Sequence, residues 1–263
     1  MLVTGAVLAK KPDFQAVTVL PSGGHASVVI PSHAVEIAPN VFGLGSAQDI
    51  DGRMVEGFLF VNNKREDVKP TWAGGAKVRD DSCYKFMVKG AQWKVAEEYI
   101  TGAGIDTALT ATSLETWDSE VSSNIFGERN VDGVVDGADE LSPDGKNEVE
   151  FADLGPSNTI AYTIVWGTFT GSPASRELVE WDMVFNADYN FGDAGDTDEN
   201  NLGDTSMMDY QNIAIHELGH ALGLGHPGDT CTEETMFRFA SYGETKKRTL
   251  GTGDIVGVNA LYP

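Results

Sequence analysis

Residues 216–226 read HELGHALGLGH and gather three of the chain's five histidines into eleven positions, with a glutamate beside the first. His216 and His220 are one helical turn apart, so on a helix their imidazoles converge on one ion at the roughly 2.0–2.1 Å that zinc prefers for nitrogen. Glu217 lies about 100° further round such a helix. It cannot take the same ligand position, but it can reach a water beside the metal and accept its proton as the water attacks a carbonyl. Two ligands are too few, because a catalytic zinc usually has three from the protein and one open position. His226 is the next candidate. On a straight helix it would sit about 600° beyond His220 and point away, so the chain must bend. Gly223 can supply the bend by taking positive φ and turning the following segment back. A bare pair of histidines on a helix is a weak signal, but the glycine and the third histidine each answer a geometric need. Together they read as a hydrolytic metal site.

The elements that must hold these residues can be read around them. Ser206 with Asp209 three positions on forms a capping-box-like start before YQNIAIHELGHALG. On that helix Tyr210, Ala214, Leu218, Ala221 and Leu222 gather on one side and His216 and His220 on the other, which predicts one packing face and one working face. NTIAYTIVW (158–166) and LVEWDMVF (178–185) read as strands, the second alternating Val179, Trp181, Met183 and Phe185 against Glu180 and Asp182. GIDTALTATSLETWDSEVSS carries apolar residues at helical spacing, with Asp106 placed to favour the positive N-terminus. TGDIVGVNALYP closes the chain as a short helix with Thr252 as candidate N-cap and Asp254 in its first turn. HASVVI and MVEGFLFVNN read as strands of a β-rich N-terminal extension over residues 1–75, a candidate pro-segment. KPTWAGGAKVRDDS (69–82) marks its boundary with a domain over 76–263.

Composition sets the outer limits. With 41% hydrophobic residues, 263 residues can build a sizeable core. A net charge of −22 would repel phosphates, which sets aside nucleic acid as a partner. No window approaches the roughly 20 apolar residues of a membrane span. MLVTGAVLAKKP lacks the basic start of a complete secretory signal and reads as a remnant of one or a misassigned start. Two cysteines, Cys83 and Cys231, are too few for a disulfide scaffold but enough for one bridge.

The pattern H-E-x-x-H-x-x-G-x-x-H resembles the metzincin signature, and the resemblance implies a methionine in a tight turn beneath the metal. Met236 stands ten residues after His226, in CTEETMFRF. NIAIHELGHALGLGH and RTLGTGDIVGVNALYP are most similar to the matrixins, the matrix-metalloproteinase-like group, in its prokaryotic form. The resemblance covers roughly residues 83–263. It implies an α+β fold: a metzincin-like catalytic domain with a twisted mixed β-sheet, active-site helix, Met-turn and C-terminal helix. It further implies one catalytic Zn2+ on His216, His220 and His226, Glu217 as general base, Met236 as platform, Gly223 as the turn, and Asp254 bracing the Met-turn. TIAYT resembles the edge strand along which a protein or peptide substrate lies extended, and FRFASYG resembles the wall of the pocket beyond the scissile bond, with Arg238 as a candidate cap. The expected molecule is a zinc endopeptidase, monomeric, extracellular or at the cell surface. A zinc-stabilised binding module that does no chemistry, and a zinc hydrolase of a non-protein substrate, are the competing readings.

Several residues depart from the pattern. Pro227 follows the third histidine, as in serralysins, but Arg238 stands where those enzymes have tyrosine. Histidines for a second, structural zinc are missing, since only His25 and His33 remain. Cys83 precedes the catalytic region, yet RDDSCYKF does not match the family's thiol switch PRCGxPD. A Cys83–Cys231 disulfide is favoured over a switch or free thiols. NVDGVVDGADELSPDGKNEVEF (130–151) has the composition of a calcium loop without EF-hand spacing, and the acidic loop at 188–204 is a second candidate for Ca2+.

Overall fold

A computed structural model describes residues 30–65, 80–87, 90–94, 96–195 and 203–263. The opening segment 1–29, including His25 and most of HASVVI, the linker 66–79, and residues 196–202 of the acidic loop lie outside the described residues.

The strands are β1 (Val35–Ala38), β2 (Val41–Gln48), β3 (Met54–Lys64), β4 (Glu97–Thr101), β5 (Phe126–Arg129), β6 (Asn147–Ala152), β7 (Thr159–Thr168), β8 (Glu177–Asn186), β9 (Phe191–Gly192), β10 (Met208–Asp209) and β11 (Phe239–Ala240). The helices are α1 (Thr107–Asp118), α2 (Tyr210–Ala221) and α3 (Thr252–Leu261). One twisted mixed sheet runs in the order β1-β2-β3-β7-β8-β6-β4-β5, with β11 added to β3. Its β8, β6, β4 and β5 are mutually parallel, and β7 turns antiparallel against β8. This is the α+β architecture expected.

Helix α1 starts where Asp106 accepts the Ala108 and Leu109 N–H groups, 3.0 Å each. It buries Thr110, Ser113, Leu114 and Trp117; the Thr110 hydroxyl lies 2.7 Å from that of Tyr210 in α2, and the Trp117 indole donates to the Ile215 carbonyl at 2.8 Å. Helix α2 is capped by Asp209, which accepts from Asn212, rather than by Ser206. The reason is that Met208 and Asp209 are extended and paired with Phe191 and Gly192, so the helix cannot begin earlier. In α3 the cap is Gly251 and not Thr252, and Asp254 accepts the Gly251 N–H at 2.8 Å.

The sheet runs across the expected boundary near residue 75, because β3 pairs with β7 from Glu56↔Gly167 to Asn63↔Thr159. For the same reason β7, which contains TIAYT, is not a free edge. The alternation of β3 explains how it holds both layers: Phe58 and Phe60 enter the core shared with α2, while Val55, Leu59 and Val61 pack outward with Ile164, Trp166 and Val184. Helix α2 accordingly has no solvent-facing side, and every residue but Gln211 is buried.

Candidate metal centre

Helix α2 ends at Ala221 and the chain reverses at Gly223, whose φ is +111°. A Cβ there would sit 2.6 Å from the Ala91 carbonyl oxygen, so only glycine fits both the torsion and the space. The reversal returns His226 to the helix, and its Nε2 lies 3.0 Å from that of His220. One ligand atom each from His216, His220 and His226 falls within 4.8 Å of the others.

The tautomers follow from the carbonyls that face the rings. His216 Nδ1 is 2.6 Å from the Thr235 oxygen and His220 Nδ1 is 2.9 Å from the Leu224 oxygen. A carbonyl only accepts, so both Nδ1 atoms carry the proton and both Nε2 atoms present lone pairs inward. Burial holds all three imidazoles neutral, with His220 pushed down to about 3. His216 Nε2 is buried with no partner in the chain. Inward lone pairs 3.0 Å apart repel one another unless a cation lies between them, so the donor set fits zinc, a tetrahedral ion at home with neutral imidazole.

Glu217 is fully buried beside this triad, and its Oε2 accepts the Thr163 hydroxyl at 2.7 Å while Oε1 has no partner. Burial raises its carboxyl to about 7 against the opposing pull of Thr163, Asn62 and the Lys247 charge. A carboxyl poised there can both accept and return a proton.

Beneath the triad, Met236 packs its sulfur directly under Gly219. Asp254 accepts the N–H groups of Thr235 at 2.6 Å and Met236 at 3.2 Å, which fixes the turn that also carries the carbonyl facing His216. Cys83 and Cys231 form a disulfide with Cα atoms 5.6 Å apart. Arg238 turns its guanidinium to Asp229, 2.9 Å away.

Some of the supporting residues had no signal in the sequence. Lys247 is fully buried, donates to the Phe237 carbonyl at 2.5 Å, and is pulled down to about 8 by burial. Asn212 ties it to α2: its side-chain oxygen accepts the Lys247 backbone N–H, and its amide donates to Glu244 at 3.2 Å. Lys246 and Lys247 belong to a run of three basic residues, and the tertiary fold turns both of them inward.

With this geometry the family can be settled, because the matrixin profile (Peptidase_M10) matches residues 54–263. The chain belongs to the matrixin family. It is similar to Metalloendoproteinase 5-MMP of Arabidopsis thaliana, 38% identical over 58 residues, or 22% of this chain and 15% of that one. To Matrilysin of Homo sapiens it is 32% identical over 108 residues, 41% of this chain and 33% of that protein. Metalloendoproteinase 1 of Glycine max is 35% identical over 78 residues, 30% and 24% of the two chains. The chain thus spans about a third or less of the length of the curated relatives it matches. His216, His220 and His226 are this matrixin's zinc site.

A second group of ligand type lies on the other side of the sheet. Asp139, Asp144 and Glu180 bring carboxylate oxygens within 4.8 Å of one another. Glu180 and Asp182, which alternation alone would place outward, are 0% and 1% exposed because the 136–145 loop folds over them. That loop donates its Asp139 N–H to Asp182 and its Gly145 N–H to Glu180. Glu180 Oε1 remains buried without a partner. Burial and mutual repulsion raise Asp139 to about 7 and Glu180 to about 9. Among the described residues no helix is long and apolar enough to cross a membrane.

Proposed function

We propose that this matrixin is a zinc-dependent endopeptidase in which Glu217 is the general base and acid. The observation that carries the reading is Glu217 set beside three inward-facing imidazoles, with one carboxylate oxygen fixed by Thr163 and the other free. When bound, zinc supplies the Lewis acidity that polarises a peptide carbonyl and the water that attacks it. Glu217 takes the proton of the attacking water through Oε1 and delivers it to the departing amine. Thr163 holds the carboxylate in register, and the carbonyls of Thr235 and Leu224 hold His216 and His220 in the ligating tautomer. Met236 supports the helix floor and Asp254 braces the turn beneath it.

The substrate is a protein or peptide taken as an extended strand, since strand addition binds backbone regardless of sequence and leaves selection to side-chain pockets. The Cys83–Cys231 bridge supports an extracellular or cell-surface setting. Asp139, Asp144 and Glu180 are a site for calcium, an oxygen-seeking cation that would neutralise the cluster and meet Glu180 Oε1, which is buried without a partner.

The test is hydrolysis of a mixed peptide library by metal-quantified wild type and Glu217→Ala side by side. Wild type should carry zinc and cut, and the variant should carry zinc and not cut. Equal cutting by both removes Glu217 from the chemistry, and retained zinc without cutting by either favours a binding module.

A further inference from the structure

The three zinc ligands are not held alike. The Nδ1 atoms of His216 and His220 each face a carbonyl, whereas His226 Nδ1 is buried with no hydrogen-bond partner. The His226 ring is flanked by those of His216 and His220, with centroids 5.4 and 4.6 Å away, and by Phe60 at 6.2 Å, none of which bonds to Nδ1. His226 also lies beyond the end of α2, so the helix that fixes the other two ligands does not fix this one. A ligand without an outer partner is aimed only as well as its backbone is held.

The backbone around His226 is held from outside, by residues 83–87. Before His226, the Met87 N–H donates to the Gly223 carbonyl at 2.9 Å, the Gly225 N–H donates to the Lys85 carbonyl at 2.8 Å, and Phe86 pairs antiparallel with Leu224. After it, the disulfide from Cys83 to Cys231 closes the other end. One short segment thereby pins residues 223–231 on both sides of the ligand. That segment rests in turn on α3, where Gly253 and Gly257 lie about one helical turn apart. A Cβ at 253 would strike the Cys83 carbonyl, and one at 257 would lie 3.1 Å from Tyr84 Cβ. The same helix carries Asp254, which braces the turn whose Thr235 carbonyl faces His216.

We propose that residues 83–87 are a splint for the third zinc ligand, with Cys83 and Cys231 as positioning residues that act through His226. The bridge does for His226 what a carbonyl does for each of the other two: it fixes the direction in which the ring's inward lone pair points. Only the zinc assignment is required for this, and the endopeptidase reading is not.

The test compares the full wild-type chain with Cys83→Ala/Cys231→Ala, in which the buried sulfurs give way to small apolar groups. Zinc affinity is measured by competition with a chelating dye, and coordination by the visible spectrum of the Co2+-substituted protein. His226→Ala supplies the spectrum of a two-imidazole site. Phe126→Leu, a core change in β5 at the far edge of the sheet, shows what lost stability alone does. The cysteine variant should bind zinc about tenfold to a hundredfold more weakly, the range seen when a ligand's outer partner is removed. Its cobalt spectrum should move toward that of His226→Ala. Phe126→Leu should lower the Tm and leave both readouts at wild-type values. Wild-type affinity and spectrum in the cysteine variant overturn the inference. An equal loss of affinity in Phe126→Leu overturns it too, because the effect would then be one of general stability.

If the cysteine variant does not fold, the bridge is reduced with a phosphine in the folded, zinc-loaded wild type. Both thiols are then capped with iodoacetamide, so that neither can ligate the metal. Zinc affinity should fall by the same factor as expected for the variant, and an unchanged affinity overturns the inference.

Discussion

The two candidate metal sites sit on opposite faces of one sheet and are built on opposite principles. At the histidine site, neutral donors are held by carbonyl partners on a helix and on a single glycine turn, so the lone pairs are aimed before an ion arrives. At the acidic site, Asp139, Asp144 and Glu180 converge from a long loop and from β8; Asp144 is paired with Lys146 at 2.6 Å, and burial and then repulsion push the Asp139 and Glu180 carboxyls up while no cation is bound. The contrast teaches that preorganisation can come from hydrogen bonds that cost little without metal, or from a strained charge balance that depends on it.

Breaking the first site should have the largest effect. His220→Ala should cut zinc content from about one ion per chain to near none and lower peptide hydrolysis by about a thousandfold or more. Metal analysis and steady-state kinetics check both, and full zinc retention would contradict the ligand assignment. Next comes the brace: Asp254→Ala strips the acceptor from the N–H groups of Thr235, Met236 and Gly251. The expected loss is about 3 kcal/mol or more in denaturant unfolding, with weaker zinc binding because the Thr235 carbonyl orients His216.

The acidic site sharpens the comparison from the other side. Calcium at a hundred times its Kd should add about 2.7 kcal/mol, seen as a rise of roughly 5–10 °C in Tm. Glu180→Gln should abolish that response while leaving zinc content intact. Without calcium the same substitution should change stability little near neutral pH, because a carboxyl pushed up to about 9 is already uncharged there. The smallest effect expected is Gly223→Ala, which forces a Cβ toward the Ala91 carbonyl at positive φ. It should cost about 1–3 kcal/mol, measurable by thermal unfolding, and should loosen His226 more than His216 or His220.

The same contrast explains what could be read from the sequence. The histidine site is local: its ligands, base and bend fall within eleven residues, and helix geometry relates them without knowledge of the rest. Strands β3, β7 and β8 are also legible, because alternation is a local property. What is not local was not legible. Alternation in β8 sends Glu180 and Asp182 outward, but nothing in the sequence says that a loop forty residues earlier folds over them. MVEGFLFVNN announces a strand, yet not which strand it pairs with, and so its place beside β7 stays hidden. Lys247 and Asn212 meet across 35 positions, which no periodicity reports. The start of α2 differs from the expected one for a smaller reason: Ser206 and Asp209 are both good caps, and pairing with β9 decides between them.

The bridge between Cys83 and Cys231 spans 148 positions and therefore closes a loop of more than half the chain. By chain-entropy reasoning such a closure removes about 5 kcal/mol worth of freedom from the denatured ensemble. Both of its ends lie beyond β3, so severing the backbone anywhere between residue 65 and Cys83 leaves that constraint whole. The bridge is thus covalently independent of β3, and loss of that strand need not bring loss of the frame it closes.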